Sequence, residues 1–214
     1  MPPTRSSRRY LPAAGHDVFL PAYDPIMWLL RFTRDLDRLV ARAALRPSHR
    51  VLDVGCGTGT LAVLIARRYK DIHVTGIDPD PKALARAMRK AARARVSVSF
   101  ECAFGDALPF ADGTFDRVFS SMMFHHVPKE EKPGVLAEIR RVLKAGATLE
   151  LLDFAGGRPP NRMARARHGS QPDTAAADRL VERMMEAGFV DARPVADRQT
   201  VFGPIRFYEA HTLV

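Results

Sequence analysis

The run Val51-Leu52-Asp53-Val54-Gly55-Cys56-Gly57-Thr58-Gly59-Thr60 constrains this chain more than any other stretch. An apolar, β-branched segment passes through three alternating glycines into a helix-forming one. Glycine lets the backbone turn tightly and approach a ligand where a Cβ would collide, and the helix that follows offers unpaired N–H groups to an anion. The spacing is Gly-x-Gly-x-Gly, whereas a dinucleotide fingerprint needs Gly-x-Gly-x-x-Gly.

The rest of the chain repeats the alternation that this turn begins. Strands are predicted at 50–54, 73–77, 96–101, 117–121, 148–154, 192–196 and 205–213. Helices are predicted at 60–69, 81–94, 129–143 and 175–187. Short buried strands alternating with helices predict right-handed crossovers and a parallel sheet. Before the first strand, Ile26, Met27, Leu29, Leu30, Leu36, Leu39, Val40 and Ala43 recur at mostly helical spacing, so an amphipathic helix is expected over 24–45. Residues 1–23 read as a flexible tail. Residues 155–174, rich in Gly, Pro, Arg and Ser and without apolar periodicity, read as a mobile loop at a substrate entrance. With 214 residues, the chain suits one domain over 24–214.

Two cysteines, Cys56 and Cys102, are too few for a disulfide scaffold or a four-cysteine zinc site, and a reduced, cytoplasmic setting is expected. No apolar run approaches the roughly 18 residues that a membrane span needs. Ser7-Arg8-Arg9-Tyr10-Leu11 has the outline of a twin-arginine signal, but His16 and Asp17 interrupt the apolar stretch that should follow. The net charge of +9 permits a nucleic-acid partner. Basic residues are nevertheless spread along most of the chain and interleaved with Ala, as a compositional habit would leave them. The run containing Arg162, Arg165 and Arg167 is the exception.

Gly76-Ile77-Asp78-Pro79 ends the second predicted strand. A carboxylate there accepts hydrogen bonds from both hydroxyls of a ribose, or else caps the next helix, which the Asp-Pro-Asp-Pro setting also suits.

At these residues the chain resembles the class I S-adenosylmethionine-dependent methyltransferases, and more narrowly the broad group that includes the ubiquinone and menaquinone biosynthesis C-methyltransferases. Asp53-Val54-Gly55-Cys56-Gly57-Thr58-Gly59 matches that family's first motif and Asp78 its ribose-binding acid. Gly105-Asp106-Ala107-Leu108-Pro109-Phe110 matches the segment that holds adenine, Phe115-Asp116-Arg117-Val118-Phe119-Ser120 the fourth strand, and residues 136–153 the helix and strand that follow. The resemblance implies an α/β, Rossmann-like, doubly wound seven-stranded sheet, mostly parallel, in the order 3-2-1-4-5-7-6 with strand 7 antiparallel. It implies S-adenosylmethionine as cofactor, S-adenosylhomocysteine as product and no metal. The cofactor-binding residues it implies are Asp53, Gly55, Cys56, Gly57, Gly59, Asp78, Pro79, Asp106, Ala107, Leu108, Ser120 and Tyr23. In that family the Asp106 carboxylate takes a hydrogen bond from the adenine amine, since a carboxylate accepts but cannot donate, and the Ala107 N–H meets the ring. Leu108 and Phe110 either wall the ring or pack the core. Lys144-Ala145-Gly146-Ala147 departs from the family's usual Lys-Pro-Gly-Gly, which concerns turn stiffness more than chemistry.

Methyl transfer from a sulfonium is an in-line displacement, so the protein must align donor and acceptor, exclude water, and supply a base when the acceptor has to lose a proton. The acceptor face is expected at Ser120-Ser121-Met122-Met123-Phe124-His125-His126. It lacks the Asn or Asp followed by Pro-Pro and an aromatic that serves amino-group acceptors, which argues against adenine-N6 and glutamine methylation and favours oxygen or carbon acceptors. A small-molecule acceptor is the leading expectation, with RNA or a ribosomal protein as the alternative that the charge permits. A cofactor-binding protein without catalysis is a further alternative. His125 or His126 either takes the acceptor's proton or begins the next helix. Met122 and Met123 either pack the core or line an apolar pocket. Tyr23 and Asp24 either lie under an N-terminal lid near the cofactor or pack and cap the first helix.

Overall fold

Val51, Leu52 and Val54 are buried on both sides of their strand, which requires helices on both faces of the sheet. The computed structural model meets that requirement. It describes residues 32–155, 175–200 and 203–214. The expected tail, the start of the N-terminal helix with Tyr23 and Asp24, and all but Ala155 of the expected loop over 155–174 lie outside the described residues.

The described elements are α1 (Phe32–Arg42), β1 (Arg50–Val54), α2 (Thr60–Arg68), β2 (His73–Asp78), α3 (Pro81–Ala94), β3 (Ser99–Cys102), β4 (Phe115–Ser121), α4 (Lys132–Val142), β5 (Leu143–Phe154), α5 (Ala175–Glu186), β6 (Val190–Thr200) and β7 (Gly203–His211). A 3-10 turn, Phe124–His126, lies between β4 and α4. The strands form one sheet in the order β3-β2-β1-β4-β5-β7-β6. β1 pairs in parallel with β2 and β4, and β7 runs antiparallel to both β5 and β6. The order and the antiparallel seventh strand are those the resemblance implied. The order reverses at β1 and β4, so their C-terminal ends open a crevice where ligands bind in sheets of this kind.

One apolar core joins the sheet to α4 and α5 through Leu136, Ile139 and Met184, and a second joins it to α1 and α2 through Leu36, Leu39 and Ile65. Asp35, only 1% exposed, accepts a charge-assisted hydrogen bond from Arg198 of β6. That bond ties α1 across the sheet and holds its first turn at the crevice.

Several boundaries moved for identifiable reasons. β3 begins at Ser99 rather than 96, because Arg95 adopts left-handed φ of 54° and the Val96 N–H closes back on the Ala91 carbonyl. α4 starts at Lys132 rather than 129, because residues 128–131 form a turn in which the Glu131 N–H bonds the Pro128 carbonyl. β6 extends well beyond 192–196 as the outer strand of a hairpin with β7.

Candidate functional site

The glycine turn hangs from the end of β2. The N–H groups of Gly55 and Cys56 both donate to the Ile77 carbonyl, at 2.9 and 2.8 Å. Asp78 completes the support, its Oδ2 accepting from the Gly57 N–H and its Oδ1 from the Asp80 N–H, each at 2.9 Å. Asp80, rather than Asp78, caps α3, its Oδ1 accepting from the Lys82 N–H at 2.8 Å. The cap reading of that acidic pair therefore falls to Asp80, and Asp78 braces the turn. Gly59 at the start of α2 has φ of 75°, and a Cβ there would come 2.7 Å from the Ala87 Cβ of α3. Only glycine allows the two helices to meet so closely.

Over this turn lies a cavity of about 400 Å³. Asp53, Gly55, Cys56, Gly57, Asp78, Pro79 and Asp106 line it together with Phe104 and Gly105. Its other wall is Phe32 and Leu36 of α1 with Ser121, Met122, Met123, His126 and Glu131. Gly59, Ala107, Leu108, Ser120 and His125 are set back from it. Ala107 donates its N–H to the Phe104 carbonyl at 3.2 Å, and Leu108 belongs to the core. Ser120 is buried in β4. Tyr23 lies outside the described residues.

Asp53 is the electrostatic anomaly of the cavity. It is 1% exposed, and its Oδ2 has no hydrogen-bond partner among the described residues. Burial, and then the negative charge of Asp78, push it up to about 7, against an opposing N–H from Ala62. Burial also raises Asp78, although the Asp80 and Gly57 amides oppose it. Two buried carboxylates on one cavity wall call for hydrogen-bond donors and a cation. An ammonium beside Asp53 and a pair of vicinal hydroxyls beside Asp78 would satisfy both, and the amino acid tail and ribose of S-adenosylmethionine carry those groups. The residues present fit that cofactor.

Met122 ends β4 with left-handed φ of 54°, a conformation uncommon outside glycine and concentrated at functional turns. The turn packs Met123 against Gly55 and brings His126 to the cavity wall. The His125 ring lies against His126 with centroids 3.9 Å apart. Its Nδ1 is 2.6 Å from Asp153 Oδ1 at the end of β5, and its backbone N–H donates to Asp153 Oδ2 at 2.9 Å. Burial alone would raise Asp153, but the charge and hydrogen bond of His125 outweigh it, with help from the Phe154 N–H, and hold the carboxyl below its usual range. A histidine whose ring is oriented by a buried carboxylate is the arrangement of a general base.

The sequence reading did not single out Asp153, whose partner is 28 residues away. It also passed over Lys90, whose ammonium donates to the hydroxyls of Thr58 and Thr60 at 3.0 and 2.7 Å beside the cavity. Neither residue lies in a motif.

A model of the methyltransferase domain family matches residues 51–146. The demethylmenaquinone methyltransferase of Thermus thermophilus is 39% identical over 137 residues, which cover 63% of this chain and 61% of that one. An O-methyltransferase of Aspergillus nomiae is 32% identical over 165 residues, covering 74% and 71%. A crystal structure of an S-adenosylmethionine-dependent methyltransferase from Aquifex aeolicus has the same fold, with a TM-score of 0.67 at 20% identity over 84% of this chain and 90% of that one. Among curated relatives of 36 to 40% identity, the chain spans 30 to 61% of the relative's length.

Proposed function

The chain belongs to the class I S-adenosylmethionine-dependent methyltransferases, and on that premise we propose that it methylates an oxygen or carbon of a small molecule, an ionisable hydroxyl being the acceptor that the site favours. The observation that carries this reading is the juxtaposition of two buried carboxylates lining the cavity with a His–Asp couple that stands just behind its His126 wall. The former suit the cofactor's polar groups and the latter suits removal of a hydroxyl proton. When bound, the cofactor supplies a methyl group on a sulfonium, open to in-line attack. Asp53 pairs with its ammonium, Asp78 accepts from its ribose hydroxyls, and Asp106 accepts from the adenine amine. Phe32, Leu36, Met122 and Met123 exclude water from the acceptor side. His125 takes the hydroxyl proton at Nε2 while Asp153 holds Nδ1, and His126 forms the adjoining wall. The same reading sets the chain in the cytoplasm, where the unpaired Cys56 and Cys102 stay reduced.

Turnover to S-adenosylhomocysteine, measured against pools of phenols, quinols and stripped RNA, tests the acceptor class. Methyl incorporation is expected in the hydroxylated small molecules. Incorporation into RNA that persists at physiological salt would favour the RNA reading that the +9 charge permits. Binding without turnover on any pool would favour a non-catalytic cofactor-binding protein.

Asp78→Ala should weaken cofactor binding by about 2 kcal/mol, because charge-assisted bonds to the ribose and the brace under Gly57 are lost together. Calorimetry on the folded variant checks it. An unchanged dissociation constant would reduce Asp78 to a support for the turn.

A further inference from the structure

The guanidinium of Arg141, on α4, grips the back of the segment whose front lines the cavity. Nη2 donates to the Leu108 carbonyl at 3.0 Å, and Nη1 donates to the Phe110 carbonyl at 2.7 Å and the Asp112 carboxylate at 2.8 Å. Nε and Nη2 also hold both oxygens of Glu138, at 2.7 and 2.8 Å. Glu138 Oε2 in turn accepts the N–H of Leu108 at 2.8 Å. The backbone at Leu108 is thus fixed on both its N–H and its C=O sides by one ion pair. The same helix touches the segment's cavity side, since a Cβ on Gly105 would lie 3.3 Å from Val135 Cγ1 and one on Gly134 3.6 Å from Asp106 Cβ.

Holding α4 on the sheet does not require this pair, because Val135, Leu136, Ile139 and Val142 are already buried there. A Glu–Arg pair three residues apart on a helix is worth only a few tenths of a kcal/mol when it stands alone. Here it is bidentate and tied to two carbonyls and an amide of another segment, a geometry that only a guanidinium can make.

We propose that Glu138 and Arg141 are positioning residues that fix the purine-recognition segment 104–110, so that preference for a 6-amino over a 6-oxo purine depends on them. This rests on the cavity being the S-adenosylmethionine site. A carboxylate at Asp106 attracts an amino group and repels a carbonyl in the same place. That difference is large only while the segment cannot retreat.

The test compares dissociation constants of S-adenosylhomocysteine and its deaminated analogue, S-inosylhomocysteine, on the full chain. Wild type should prefer the adenine ligand by about tenfold or more. Arg141→Met should bind S-adenosylhomocysteine about tenfold more weakly while hardly changing its affinity for the inosine analogue, so that the preference collapses. Arg141→Lys should follow it, lacking the fork. Glu138→Gln, which keeps an oxygen for the Leu108 N–H, should fall between and keeps the test open if Arg141→Met does not fold. Arg193→Met, which breaks an ion pair with Glu209 on the β6–β7 hairpin, should leave the preference intact. Equal weakening for both ligands, or an unchanged preference in the Arg141 variants, would overturn the proposal. Wild type binding neither ligand would instead overturn the cofactor reading.

Discussion

Alanine at His125 is expected to lower kcat on a hydroxylated acceptor by about 10²- to 10³-fold while leaving affinity for S-adenosylhomocysteine unchanged. The asymmetry follows from the geometry. His125 is set back from the cofactor wall, and its ring is held by Asp153 at 2.6 Å, so its loss removes proton acceptance and little binding. Asp153→Asn should cost a similar factor, because the ring then loses the partner that orients it and stabilises its protonated form. Asp153 is held below the usual carboxylate range, so it stays ionised through the neutral region. Steady-state kinetics of the two variants alongside His126→Ala decide the assignment. A larger loss at His126, which lines the cavity, would make His126 the base. Full activity in both histidine variants would mean that the acceptor needs no base.

Gly55→Ala should be still more damaging. Gly55 has φ of 72°, and a Cβ there would lie 2.1 Å from Met123 Cγ and 2.8 Å from Met123 Cβ. The Met123 backbone is tied into the strained turn at Met122, so the collision cannot be relieved by swinging a side-chain tip. Backbone strain and overpacking together should cost about 2 to 4 kcal/mol of stability. Because the displaced groups are the cavity wall itself, cofactor affinity should fall at least about 100-fold. Adding Met123→Ala should recover only part of both losses. It removes the Cγ contact but leaves the left-handed strain and the Cβ contact. Denaturant melts and calorimetry on the single and double variants provide the check, and a single variant that binds normally would show that the turn tolerates a side chain.

The parts of this site that could be read from the sequence are those whose signal is local. Gly55, Gly57 and Gly59 announce a turn because each takes a left-handed φ that glycine adopts at no steric cost. The strands were legible because runs such as Val51, Leu52 and Val54 are buried from both sides. Asp153 was read only as the end of a strand, since what matters is that β5 lies beside β4 and so brings its last carboxylate to the turn bearing His125. Arg141 was likewise an ordinary helical arginine until the fold laid α4 behind residues 108–112. The shifted starts of β3 and α4 have the same origin, because Val96 and Pro128 are drawn into caps and turns by hydrogen bonds that apolar periodicity does not encode.

That the cavity holds an adenosine with an amino acid tail is the central claim, and titration calorimetry of S-adenosylhomocysteine at two pH values tests it directly. Binding at one site per chain with a micromolar dissociation constant is expected, with little heat from NAD. Asp53, pushed up to about 7, is largely neutral below that pH and largely ionised above it. Only the ionised form pairs with the ligand's ammonium, so binding should release close to one proton at pH 6 and almost none at pH 8, and should tighten by about tenfold from pH 6 to pH 8. NAD binding as tightly as S-adenosylhomocysteine, or no binding of S-adenosylhomocysteine at either pH, would contradict it.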